Sequence, residues 1–112
     1  MPSKELVAAC SRPLALTLLD GAESYGYDLI RRVRELSGGH LQWTEGTLYP
    51  VLHRLEREGL IVSSWRESEV GRRRKYYTLS AEGRASLAEE KKDWLTVHRL
   101  LDDLWTPHSP ST

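Results

Sequence analysis

With 112 residues and sixteen basic against sixteen acidic side chains, the chain has no formal net charge and room for one domain, or one domain with an appendage. That excludes a second lobe of enzymatic size, a histone-like tail and strong attraction to nucleic acid through bulk charge. A content of 39% hydrophobic and 29% charged residues reads as soluble and folded.

Residues 4–19 place Leu6, Cys10, Leu14 and Leu18 four apart, which is one helical face. Pro13 predicts either a kink or a short helix followed by a second that starts near Ser11. Leu6-Val7-Ala8-Ala9-Cys10 looks like a lipoprotein cleavage box, yet Lys4 and Glu5 leave no room for the apolar segment of a signal peptide. Cys10, the single cysteine, therefore reads as a small buried hydrophobe and excludes a disulfide framework. No apolar run spans a bilayer, and the protein is expected in the cytoplasm, without a membrane partner.

Residues 20–24 read as a loop. A second helix over 25–36 turns Leu29, Ile30, Val33 and Leu36 inward and is ended by Gly38-Gly39. A third starts at Thr44, a suitable N-cap, and runs to about Glu58 before Gly59. Its buried stripe is Leu48, Val51, Leu52 and Leu55. Thr47, Pro50, Arg54 and Arg57 line the opposite side, with Tyr49 and His53 between. Pro50 removes a backbone donor, so the first turn and a half should be irregular.

Residues 60–67 and 74–79 favour strands, joined by the polar turn 68–73. The resulting hairpin carries the dense basic run Arg72-Arg73-Arg74-Lys75. Trp43 and Trp65 are assigned to the core. A last helix begins at Ser80, with Gly83 at its third position, and extends to about Trp105, where Pro107 and Pro110 stop it. Residues 106–112 are expected to be disordered. Residues 40–79 are net basic and 80–112 net acidic, which suggests different partners for the two parts. The fold class is mainly α with a small β-hairpin.

Three short helices followed by a hairpin are the parts of a winged helix-turn-helix. There the third helix enters the DNA major groove and the wing rests on the adjacent backbone. Candidate DNA contacts are Thr47, Tyr49, Pro50, His53 and Arg54 on the helix, and Arg72, Arg73, Arg74 and Lys75 on the wing. Singly, a basic tip is often a solvated turn, and Thr or Tyr on an exposed face says little. Their co-occurrence in this element order carries the reading.

Gly46-Thr47-Leu48-Tyr49-Pro50, the run from Leu52 to Ile61, and Gly71-Arg72-Arg73-Arg74-Lys75-Tyr76-Tyr77 resemble the PadR family of bacterial transcription regulators. Tyr25-Gly26-Tyr27-Asp28-Leu29 and Ala81-Glu82-Gly83 extend the likeness over residues 14–87. The resemblance implies a dimeric winged-helix DNA-binding protein, usually a repressor, with the third helix as reader. One departure is Thr44-Glu45, where the family commonly has Ser-Pro. An acid in the first turn suits the helix dipole, but it would repel phosphate if it faced DNA.

Leu87, Lys91, Trp94, His98, Leu101 and Trp105 recur at heptad-like spacing, the pattern of a helix that packs on another helix. A second copy of the chain is the expected partner, with Leu6 and Cys10 of the first helix alongside. Domain boundaries follow: 1–79 for the DNA-binding part and 80–105 for the dimerisation helix. Two-fold symmetry would set the reader helices about 34 Å apart on a two-fold symmetric operator.

Short PadR members similar to this chain include multidrug sensors that hold flat aromatic compounds at the dimer centre. On that resemblance Trp94, Val97, His98 and Leu101 could line a pocket for a small aromatic or hydrophobic effector, with Asp102 as a further polar group. The plainer reading makes Trp94 and Trp105 interface anchors. No triad, phosphate loop or metal-ligand spacing is present, so no enzyme, metal or cofactor is expected. Two rival functions are a winged-helix protein-interaction module without DNA binding, and a DNA-binding repressor without a ligand.

Overall fold

The computed structural model describes residues 2–107. In chain order the elements are α1 (Lys4–Gly21), β1 (Ser24–Tyr25), α2 (Gly26–Leu36), α3 (Glu45–Arg57), β2 (Ile61–Glu67), β3 (Arg73–Leu79) and α4 (Ala81–Trp105). A hydroxyl residue caps the start of α1, α3 and α4. Ser3, Thr44 and Ser80 accept the N–H of Leu6, Thr47 and Gly83 at 3.1, 3.2 and 3.0 Å. At the end of α3, Gly59 adopts φ +76°, and Leu60 N–H donates back to the Leu55 carbonyl at 3.0 Å. That closure needs the left-handed conformation that glycine takes at no steric cost.

The core forms where α1, α2 and α3 turn their apolar stripes onto the sheet. Leu16, Leu19, Leu29, Leu48, Leu52, Leu55 and Ile61 are fully buried. Trp43 closes one side, its indole N–H donating to the buried Ser11 hydroxyl at 2.9 Å. At the other side α4 starts so close to the sheet that a methyl group on Gly83 would overlap the Leu60 carbonyl oxygen.

Several expectations need correction. α1 is one continuous helix through Pro13, so of the two alternatives the second helix starting near Ser11 does not form. α3 likewise runs unbroken through Pro50, although that residue lacks its N–H. There the capped first turn, with Thr47 and Leu48 N–H both reaching the Thr44 carbonyl, holds the helix in register. Residues 20–24 are not all loop, since Ser24 pairs with Tyr77, and Tyr25 with Tyr76. The expected hairpin is therefore part of a three-stranded antiparallel sheet ordered β1-β3-β2.

Leu36 is 74% exposed rather than turned inward, because α2 ends there and its last turn lies beyond the core. Val51 is only half-buried at the edge of its stripe. Trp65 is 58% exposed rather than core, because β2 has by that point left the packed interior and faces an open groove beside α3. The expected disordered tail falls mostly outside the described residues, as do His108 and Pro110.

Candidate nucleic-acid interface

The helical period distributes α3 over three environments. Leu48, Leu52 and Leu55 enter the core. Glu45, Tyr49, His53 and Glu56 form a stripe along the side that faces the β2–β3 wing. Pro50, Arg54 and Arg57 stand exposed on the outer side. Thr47 is half-buried, its hydroxyl 3.1 Å from that of Thr44, so part of its hydrogen-bonding capacity is used within the helix start. Tyr49 is also half-buried, and its ring lies against Gly26 at the start of α2. A methyl group on Gly26 would stand 2.5 Å from the Tyr49 hydroxyl oxygen.

Between α3 and the wing runs an open groove of about 610 Å³. Tyr25, Gly26 and Tyr27 form its floor end, Glu45, Tyr49 and His53 one wall, and Trp65, Tyr77 and the basic run Arg72–Lys75 the other. The wing's reach follows from strand pairing, with Ile61 opposite Leu79 near the core and Glu67 opposite Arg73 near the tip. The tip itself is closed by Ser68 N–H to the Arg72 carbonyl at 2.7 Å, with Gly71 at φ +78°.

The wing cations do not act as one block. Lys75 Nζ donates to Glu56 Oε1 of α3 at 3.2 Å. Arg74 lies over the Tyr25 ring at 4.3 Å, and Arg73 over the Trp65 ring at 5.5 Å. Arg72 is exposed at the tip. The Ser63 hydroxyl also donates to Glu56, and that bond, against burial and with help from Lys75, holds the Glu56 carboxyl below its ordinary value. Burial works against the Lys75 charge, but the bond to Glu56 raises its pKa overall. Lys75 thus joins wing to reader helix, leaving Arg72, Arg73 and Arg74 as the cations beside the groove.

Tyr49 and His53 of α3 and Arg72–Lys75 of the wing accordingly come together around the groove, whereas Thr47, Pro50 and Arg54 lie outside its lining. The residues that sequence assigned to a dimer or a ligand lie along α4 and α1. Leu87 is half-buried against its own core. Lys91, Trp94, Val97, His98, Leu101 and Trp105 are all exposed, Trp94 by 39% and Trp105 by 74%. Leu6 is exposed and Cys10 half-buried, where burial raises the thiol pKa.

Sequence reasoning missed Tyr25, Tyr27, Trp65 and Tyr77 as groove residues. Strand alternation could have found Trp65, which shares the face of Ile61 and Ser63 but lies farther toward the turn. Among the described residues, no His, Cys, Asp and Glu group could hold a metal, and no helix is long and apolar enough to cross a membrane.

The Transcriptional regulator PadR-like family matches residues 15–89. The chain is 46% identical over 59 residues to Transcriptional regulator Rv3488 of Mycobacterium tuberculosis, covering 53% of this chain and 54% of that protein. In structure it is similar to a transcriptional regulator from Clostridium thermocellum, with a TM-score of 0.84 and 25% identity over 95% of this chain and 100% of that one. A PadR-like transcriptional regulator from Bacillus cereus gives a TM-score of 0.81 and 27% identity over 94% and 100% of the two chains. These relatives are regulators, not enzymes. With its family match, its wing and its capped third helix agreeing, the chain belongs to the PadR-like family of transcriptional regulators.

Proposed function

We propose that the protein is a homodimeric repressor that binds a two-fold symmetric DNA operator, with α3 in the major groove and the wing on the flanking backbone. The observation that carries this reading is the groove end of the molecule. Exposed His53 on α3 stands beside Arg72 and Arg73 on a wing tied to the same helix by Lys75 and Glu56, with Pro50 and Arg54 exposed on the outer side of that helix. A local cationic face of this kind attracts phosphate although the net charge is zero.

The dimer rests on α4. Its 25 residues extend about 38 Å at ~1.5 Å per residue, and the last fifteen are exposed. Trp94, Val97, Leu101 and Trp105 give that stretch an apolar side that a second copy would cover. Repression would be steric, the dimer on its operator excluding polymerase. A small aromatic or hydrophobic effector held by Trp94, Val97, His98 and Leu101 of both copies would favour another spacing of the reader helices. It would lower DNA affinity by that preference alone.

The test is selection of duplexes from a random library, followed by binding across a salt series and sedimentation of the free protein. Enrichment of a two-fold symmetric sequence, with affinity falling steeply with salt, is the expected result. A protein that enriches no sequence, or sediments as a monomer at micromolar concentration, overturns the reading in favour of a protein-interaction module.

A further inference from the structure

We propose that Trp65 is a DNA-contacting residue, packing its indole on the deoxyribose wall of the backbone that the wing meets. This deepens the DNA-binding reading and rests on it. Along one face of β2, Ile61 is 1% exposed, Ser63 half-buried and Trp65 58% exposed, so this face leaves the core and continues over the groove. The cross-strand neighbour of Trp65 is Lys75, and Lys75 is drawn to Glu56, so it leaves the indole open.

A single exposed aromatic is ordinary on a protein surface and carries nothing alone. Here its setting selects the partner. The Arg73 guanidinium lies 5.5 Å from the ring centroid, and Arg72, Arg73 and His53 line the same groove. A flat apolar ring bordered by cations matches a surface that alternates apolar sugar with phosphate. The duplex backbone is such a surface, whereas an apolar protein partner would strand these cations without counter-charge. Arg73 stacked on the indole reaches phosphate while the ring covers the neighbouring sugar.

The experiment uses the full chain and a duplex recovered by the selection above, comparing wild type with Trp65→Phe and Trp65→Thr. Threonine keeps strand propensity at an exposed position, so folding is preserved, and far-ultraviolet circular dichroism with the urea midpoint checks it. About tenfold weaker binding by W65T, an intermediate W65F and an unchanged salt slope are expected, since an apolar contact releases no counterions. Wild-type tryptophan emission should change on binding DNA and become protected from acrylamide, and both responses should be lost in W65F.

Binding by W65T within twofold of wild type overturns the assignment while leaving the DNA-binding reading intact. A loss of affinity with the slope reduced by about one also overturns it, because Trp65 would then act only by positioning Arg73. Absence of duplex binding by wild type itself overturns the DNA-binding reading, and this inference with it.

Discussion

Arg12 and Glu58 meet fork to fork, Nη1 and Nη2 of the guanidinium donating to the two carboxylate oxygens at 3.1 and 3.0 Å. The pair ties α1 to the residue that caps the end of α3. The same guanidinium turns its Nε to both oxygens of Glu90 on α4 at 3.0 Å. One side chain therefore links the end of the reader helix to the helix assigned to dimerisation. A shift of α4 against α1 must either break this link or carry α3 with it, which makes Arg12 a coupling element in the proposed repressor.

Arg12→Gln should cost at most about 1 kcal/mol of stability, because these charges are a third or so exposed and screened by solvent. DNA affinity should fall severalfold as the end of α3 loosens. The pH response gives a second check. The Arg12 hydrogen bond holds the Glu58 carboxyl below its ordinary 4.5. A carboxylate lowered in the folded state contributes stability that is present above pH 4.5 and lost as pH falls through the lowered value. Urea midpoints of R12Q should therefore converge on those of wild type below that range and separate above it. Equal separation at every pH would show that Arg12 acts by packing instead.

Ser11 is fully buried between two hydrogen bonds, donating to the Val7 carbonyl at 2.7 Å and accepting from the Trp43 indole at 2.9 Å. Ser11→Ala removes little volume but leaves a buried N–H without its acceptor, a loss of about 1–3 kcal/mol. The urea midpoint should fall with an unchanged slope, and Trp43→Phe added to S11A should recover part of the loss. A double variant no better than S11A would mean that the Trp43 ring, not its hydrogen bond, sets the cost.

Two glycines distinguish packing from positioning. At Gly83 an added methyl overlaps the Leu60 backbone carbonyl, which cannot swing away, so Gly83→Ala should cost about 3 kcal/mol or more. At Gly26 the obstacle is the half-buried Tyr49 ring, which can rotate outward into the groove. Gly26→Ala should lose only about 1 kcal/mol of stability yet weaken DNA binding, because Tyr49 would then occupy the space for the duplex. Thermal unfolding beside DNA titration checks both; unchanged DNA binding by G26A would remove Tyr49 and its surroundings from the interface.

The helices were legible in the chain because their signals are local. Thr44 and Ser80 cap in place, Gly59 closes α3, and the stripe Leu48, Leu52 and Leu55 is buried as its period requires. What failed depends on where an element ends relative to its neighbours. Leu36 continues the apolar period of α2, but the core stops one turn earlier, and Trp65 obeys strand alternation but faces the open groove instead of the core. β1 was invisible because two residues show no alternation; only β3 lying alongside makes Ser24–Tyr25 a strand. The basic run was evident, but its division was not, since Lys75 meets Glu56 only when wing and helix are both in place.

That division can be measured as salt dependence. Taking one cation away from a DNA phosphate lowers the slope of log K against log salt by about 0.9. Arg73 is beside the groove and rests on the Trp65 ring, so Arg73→Met should reduce the slope by about one. Lys75 is already neutralised by Glu56, so Lys75→Met should weaken binding through wing position while changing the slope far less. Glu45 lies on the groove wall among these cations, and Glu45→Gln should tighten binding severalfold at low salt, the gain shrinking as salt screens it. If K75M flattens the slope as much as R73M does, Lys75 leaves Glu56 for phosphate on binding, and the wing is repositioned rather than held.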